Sequence, residues 1–512
     1  MKIPFLKKRI PSRLISWLAA ALLLVSLVPM YALSFFNHPC YDDFGFSIRT
    51  HAAVQNGGGF AGAVGAAVEN TVSIRNTWEG TYTTSLISAL QPAAFGEQYY
   101  WVATFVLLSF FLVALWAFLR ESVQHLLGAS RTALWLLFCC AAFVMIQFVP
   151  NVSEAFFWFN GGVAYTLMWS LMLLRLAVWL RLDRAAKPAG RIVWSLMLIA
   201  LSVLLGGSKY STLLFALLVD AALLIRAFGQ KRAARWVDLL CTLLLAALLV
   251  FSAMAPGNGV RAATLSGGLS APMAVAQSMF FGVSLLGHWF SLPVAALWAV
   301  AVWQTAGVLG RTSFRFRWPL AVTAVAVCLF CAQLTPTLFT GNYLGDGRTV
   351  NTYYYTYILM STGLVLYWTG WLQHRFSDGV SLLECLGRPD DRSISVSMAA
   401  LLAVVLVVGC VAYHPEGSPS YGPQNMASGS AVRSLASGEA AAYDEAMDSR
   451  DAEMNDPSVR QAVIRPVERI PAAFMDDIPL GEMADYVETL YAEYYGKVLV
   501  TIEKEAPHAA ER

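Results

Sequence analysis

Asp42 and Asp43 stand side by side in the run Cys40-Tyr41-Asp42-Asp43-Phe44-Gly45-Phe46, a few residues after an apolar stretch long enough to cross a membrane. Carboxylates at such a water boundary, flanked by rings that lower the local dielectric, have raised pKa values and become better proton acceptors. Neighbouring helical residues point about 100° apart, so one of the two is expected to face a substrate. The plainer reading is a helix-end pair marking where the membrane stops.

Glu154 lies within Asn151-Val152-Ser153-Glu154-Ala155-Phe156-Phe157-Trp158-Phe159-Asn160-Gly161-Gly162. An acid among rings suits sugar hydroxyls, with a ring stacked on the apolar sugar face; an interfacial aromatic belt reads the same way. Lone cations occur in glycine-rich settings: Gly206-Gly207-Ser208-Lys209-Tyr210, Ala255-Pro256-Gly257-Asn258-Gly259-Val260-Arg261 and Gly345-Asp346-Gly347-Arg348. Glycine lets a backbone approach a bulky anion, and a lone cation at a membrane surface needs a partner. A lipid-linked phosphate would be one such partner, an ordinary headgroup or an acid of the C-terminal tail another. Arg75 and Glu79 are spaced i, i+4, as are Trp78 and Tyr82, which predicts a helix with a structural salt bridge on one face and rings on the next. A divalent metal shared by the two aspartates fits their chemistry, although the sequence supplies no complete ligand set. No HExxH, Walker loop or Ser-His-Asp order is present.

The elements that must hold these residues are membrane helices. Of 512 residues 57% are hydrophobic and 13% charged, against roughly 25% charged in soluble chains. The apolar residues gather in blocks of about 20, the length of a helix crossing some 30 Å of hydrocarbon. Each block satisfies its own backbone hydrogen bonds, which favours helices over barrel strands. The expectation is an all-α polytopic membrane protein of about eleven transmembrane helices, near 14–36, 99–119, 133–149, 163–180, 192–205, 211–225, 236–254, 289–309, 319–339, 354–371 and 396–412. Segment 271–287 reads either as an interfacial helix or as the start of a long tilted span. Lys7, Lys8, Arg9 and Arg13 precede the first block, which exceeds the roughly 7–15 apolar residues of a signal peptide and reads as a retained span.

Alternating sides from a cytosolic start puts 21 cations in cytosolic loops and leaves five opposite, Arg49, Arg75, Lys209, Arg261 and Arg348, as the positive-inside rule requires. Four regions follow: 1–36, the N-terminus and first span; 37–98, a long outer loop with interfacial helices around Val68–Leu90; 99–413, the remaining spans; and 414–512, an extracytoplasmic tail. Residues 1–413 hold 27 Lys+Arg against 15 Asp+Glu, and the tail holds 8 against 18. His414, Pro415, Ser418, Pro419, Gly422 and Pro423 read as a linker. Beyond it Gly438–Arg450 is expected to be helical, Val463–Ile470 extended and Met483–Tyr495 helical, a small α+β or helical module. The eight cysteines form no disulfide framework, and no basic run interleaved with aromatics supports nucleic-acid binding.

An aspartate pair after the first span, a long first outer loop, an acid in the second and a C-terminal outer module together resemble the GT-C glycosyltransferases. More narrowly, Asp42-Asp43-Phe44, Trp78-Glu79-Gly80, Glu154 to Gly162 followed by Tyr165, Ala255-Pro256-Gly257-Asn258 with Arg261, and Ser437-Gly438-Glu439 through Tyr443 look like a bacterial family of uncharacterised multispan proteins, itself GT-C-like. Thr81 stands where that family often has arginine, with Arg49 or Arg75 as substitutes.

The resemblance implies a bacterial inner-membrane enzyme that moves a sugar from a polyprenyl-phosphate donor to a glycan, lipid or protein acceptor. Asp42 or Asp43 would be the base. Glu154, Trp158 and Tyr165 would orient the acceptor, and Lys209, Arg261, Arg348 and Arg75 would hold phosphate. The rival expectation is a transporter or flippase of a lipid-linked glycan, against which Arg175 and Asp220 read as snorkelling charges near cytosolic helix ends.

Overall fold

The computed structural model describes residues 12–264, 267–376, 392–411, 426–475, 478 and 483–503. Lys7, Lys8, Arg9, Arg388 and the expected linker at 414–423 lie outside the described residues. Eight helices among the described residues are long and apolar enough to cross a membrane: Arg13–Phe36, Glu97–Leu126, Phe159–Asp183, Pro188–Gly206, Tyr210–Gly229, Arg235–Ala253, Leu292–Leu309 and Pro319–Gly341. The other expected spans are also helical but differ in kind. Arg131–Gln147 is short, Gly347–Arg375 is rich in tyrosine and threonine, and Arg392–Val411 is apolar over Ile394–Val407.

Burial explains why this apolar chain needs a lipid-like surrounding. Only 28% of the apolar window of Pro188–Gly206, Tyr210–Gly229 or Arg235–Ala253 is buried by protein. Leu24, Val25, Leu196, Ile225 and Leu320 are exposed, a continuous apolar surface that soluble monomers rarely carry. The chain is a multi-pass membrane protein. Segment Ala271–His288 packs along Pro319–Ala332 and Thr335–Gly341, and Trp289–Ser291 joins it to Leu292–Leu309.

Six helices near the N-terminus set up the rest: α1 (Ser12–Leu33), α2 (Asp42–Ala53), α3 (Gly59–Thr77), α4 (Tyr82–Ala89), α5 (Val102–Leu119) and α6 (Arg131–Gln147). The long first loop folds as α2, α3 and α4 packed on one another. The expected helix through Arg75, Glu79 and Tyr82 is corrected: α3 ends at Thr77, and Trp78–Thr81 is an irregular connection. The i, i+4 pairing therefore does not form. Gly80 makes this connection feasible, because a Cβ there would lie 2.0 Å from the Ser252 carbonyl oxygen.

The tail is α+β. Helices Ala427–Ala436 and Glu439–Asn455 are followed by strand β1 (Gln461–Ile464), helix Met483–Tyr495 and strand β2 (Leu499–Ile502). The two strands pair in parallel with Gln461 opposite Leu499. The expected extended run at Val463–Ile470 is shorter and begins earlier, and β2 was not expected. Phe44 of α2 is buried among Met454, Ile464, Val487, Leu490, Tyr491, Tyr494 and Val500. The tail thus completes its core with a residue that immediately follows the aspartate pair.

Arg175 and Asp220 require a second correction. Both are fully buried, joined by two hydrogen bonds of 2.7 and 2.6 Å, with Arg175 Nε donating to Ser202 Oγ at 2.8 Å. They do not snorkel. An ion pair whose donors and acceptors satisfy each other is the other way a charge survives among helices.

Candidate functional site

Asp42 and Asp43 occupy the first turn of α2, where the exposed backbone N–H groups favour anionic side chains. Tyr41, at φ 47°, turns the chain into that helix in a conformation unusual for a residue with a side chain. The two aspartates then part company.

Asp43 is fully buried and saturated with donors. Cys40 N–H donates to Oδ2 at 3.2 Å, Asn160 N–H donates to Oδ1 at 3.2 Å, and the Tyr100 hydroxyl donates to Oδ2. Tyr100 in turn accepts from Phe159 N–H at 3.0 Å. Burial raises the Asp43 pKa to about 7, against the pull of those donors. Asp43 ties α2 to the chain before it and to the Trp158–Asn160 connection. Both of its oxygens are committed to those donors.

Asp42 is half-buried and faces the other way. Its Oδ1 accepts from Tyr486 Oη at 3.2 Å. Burial raises its pKa, and the charges of Arg348 and Lys209 oppose the rise. It therefore sits within electrostatic reach of two separate ion clusters.

The first cluster centres on Glu79. Lys209 Nζ donates to both its oxygens at 2.6 Å, Arg261 Nη1 to Oε2 at 2.9 Å and Thr81 Oγ1 to Oε1 at 2.6 Å. Burial pushes the Glu79 carboxyl up, but the two cations outweigh it and hold its pKa below the ordinary value. Two cations thus converge on one buried carboxylate. Gly206, Gly207 and Gly257, near these cations, are packed against neighbouring chain, whereas Gly259 has open space around it. A Cβ on Gly257 would lie 2.3 Å from Trp78 N, so the helix Pro256–Thr264, which carries Arg261, lies backbone to backbone with Trp78–Thr81. The arginine also lies over the Trp78 ring, 5.1 Å from its centroid.

The second cluster centres on Arg348, at the start of helix Gly347–Arg375. Glu154 Oε2 accepts from Arg348 N at 3.1 Å and from Nη1 at 3.4 Å, and Asn151 Nδ2 donates to Oε1 at 3.0 Å. Burial raises the Glu154 pKa while Arg348 opposes the rise. Arg348 also binds Asp346 and lies 5.0 and 5.9 Å from the centroids of Trp158 and Tyr165. Here negative charge is in excess. Trp158 Nε1 and both side-chain polar atoms of Asn160 are buried without hydrogen-bond partners among the described residues, so the ring-lined side retains unused polar capacity.

Asp42, Glu154, Trp158, Tyr165, Lys209, Arg261 and Arg348 thus gather at one end of the bundle. Arg75 does not join them by contact: it donates to the Phe251 carbonyl at 2.9 Å and lies 3.8 Å from that ring's centroid. Arg49 donates to Ser73 Oγ at 3.4 Å. Sequence reasoning missed Glu79 as the hub of the cations, although Trp78-Glu79-Gly80 signalled it. It also missed Tyr100, Asn160 and Tyr486, whose roles depend on contacts 57, 117 and 444 residues away. No family model matches the chain, and no curated protein matches its sequence.

Proposed function

We propose that this protein is a GT-C-like membrane glycosyltransferase of about eleven spans. In this reading the N-terminus is cytosolic and the Asp42 end lies on the outer face of a bacterial inner membrane, as the positive-inside rule favours. The observation that carries the proposal is the position of Asp42. It is a half-buried carboxylate with a raised pKa, within electrostatic reach of a cluster that gathers two cations, Lys209–Glu79–Arg261, and of an acid- and ring-lined one, Arg348–Glu154–Trp158.

The donor's phosphate lies against Lys209 and Arg261, and the acceptor sugar against Glu154, Trp158, Tyr165 and the unpaired amide of Asn160. Asp42 removes the acceptor hydroxyl's proton as its oxygen bonds to the anomeric carbon. The bond from that carbon to the phosphate oxygen breaks with its electrons, and polyprenyl phosphate leaves with inversion. The base contributes about 10²–10⁴ in rate, and the cations stabilise charge developing on the leaving oxygen. Arg348 holds Glu154 in place, a positioning role rather than the phosphate-binding one first expected of it.

The test is mass-spectrometric profiling of cell-surface glycans in cells carrying wild type, Asp42→Asn or Asp43→Asn at matched membrane expression. The expected result is loss of a sugar with accumulation of its lipid-linked donor for Asp42→Asn in fully folded protein, whereas Asp43→Asn lowers the folded yield. Unchanged glycans with folded Asp42→Asn would sink the proposal. The buried Arg175–Asp220 pair favours one rival, a transporter of a lipid-linked glycan, since transporters place paired charges among their helices.

A further inference from the structure

A second group of chemistry-bearing side chains lies apart from Asp42 and its clusters, where the tail meets the membrane-spanning part. His38, in the connection between α1 and α2, is 7% exposed, and its Nε2 is 2.9 Å from Asp444 Oδ1 and 4.0 Å from Asp448 Oδ1. Asp444 and Asp448 are one turn apart on Glu439–Asn455, so a single face of that helix presents both to the ring. One ligand atom from each of the three residues lies within 4.8 Å of the others. Ligands on a tetrahedral zinc, bound at about 2.0–2.1 Å, stand roughly 3.3 Å apart, within the range seen here.

Two further observations point to a ligand. Behind the ring, His38 Nδ1 is 3.7 Å from Glu97 Oε2. At that distance the contact is an ion pair rather than a hydrogen bond, and it puts a carboxylate on the side of the ring where metal-binding histidines carry one. Glu97 itself is more than nine-tenths buried, its Oε1 has no donor among the described residues, and the group facing it, Asp451, is another carboxyl. Three carboxylates, Asp444, Asp448 and Glu97, therefore lie within 4.0 Å of one imidazole, a donor set that suits a divalent cation.

We infer that His38, Asp444 and Asp448 form a binding site for a divalent cation of the zinc or manganese type, with Glu97 orienting the histidine. The mix of imidazole and carboxylate ligands suits these ions better than magnesium or calcium, which prefer oxygen alone. Asp448 is 72% exposed on its side chain, so the ion is open to water on that side and can load after folding. The site clamps the tail to the chain four residues before Asp42. It holds the helix Met483–Tyr495, and with it Tyr486, over the candidate base.

The experiment uses the full chain in detergent, purified on a histidine-free tag, stripped with chelator and titrated with Zn²⁺ or Mn²⁺. Metal content and melting temperature are read together. About one equivalent is expected to bind the wild type and to raise its melting temperature. Asp448→Asn, at an exposed position that folding does not need, is expected to lose that binding while matching the stripped wild type in stability. Glu97→Gln is expected to weaken affinity roughly 10- to 100-fold. Equal binding by wild type and Asp448→Asn would overturn the inference, as would no binding of either ion by folded wild type.

Discussion

At the scale of single residues, two adjacent aspartates have opposite fates because one helical step separates the directions they face. Asp43 is spent on three donors, whereas Asp42 accepts from Tyr486 and lies within electrostatic reach of both ion clusters. Tyr486→Phe gives a direct test of the base. The hydroxyl stabilises the Asp42 carboxylate and lowers its pKa, so its loss must raise that pKa further. The acid limb of kcat/KM is then expected to move to higher pH, with the alkaline plateau nearly unchanged, because only the deprotonated form accepts the proton. An acid limb unmoved by Tyr486→Phe would show that Asp42 is not the titrating base. The aspartate pair and the geometric reason to choose between its members were legible in sequence. Which member faces the site was not, because Tyr486 comes from the far end of the chain.

At the scale of elements, the apolar blocks were readable because each satisfies its backbone internally and needs no distant partner. The irregular connections were not. Arg75 and Glu79 have helical spacing, yet the helix ends between them, and Glu79 instead gathers Lys209 from the start of helix Tyr210–Gly229 and Arg261 from helix Pro256–Thr264. Glycines beside those cations read in sequence as room for an anion, but Gly207 and Gly257 permit close backbone contact with Thr83 and Trp78. Gly80→Ala tests this reading. Its Cβ would meet the Ser252 carbonyl at 2.0 Å, and backbone cannot rotate away as a side chain can. Forced overpacking of this kind costs about 1–3 kcal/mol, which should appear as a lower melting temperature of the detergent-solubilised protein and a Glu79 cluster pulled apart. Gly259→Ala, whose Cβ meets nothing within 4 Å, is the matched control and should change stability by far less.

At the scale of the molecule, the question is whether the polar groups at the Asp42 end act alone or with charges buried among the helices. Arg175 and Asp220 satisfy each other completely, and Asp238 is fully buried within their electrostatic reach. Such a group is what ion-coupled transport would use, and equally what a helix bundle uses to fix its packing. The two roles separate under paired substitution. Asp220→Leu alone strands the arginine and should cost about 3–5 kcal/mol, while Arg175→Leu with Asp220→Leu replaces the pair by apolar bulk and should recover most of that loss. If the protein transfers sugars at the Asp42 end, the folded double variant keeps wild-type glycans, because no step of that chemistry passes through the pair. A double variant that is stable yet loses the product, without accumulating the lipid-linked donor on the outer face, would instead place the essential event among the helices and make the protein a transporter. The physical basis of the distinction is that bond-making needs a base and an anion site at one surface, whereas translocation needs charges that change partners between two.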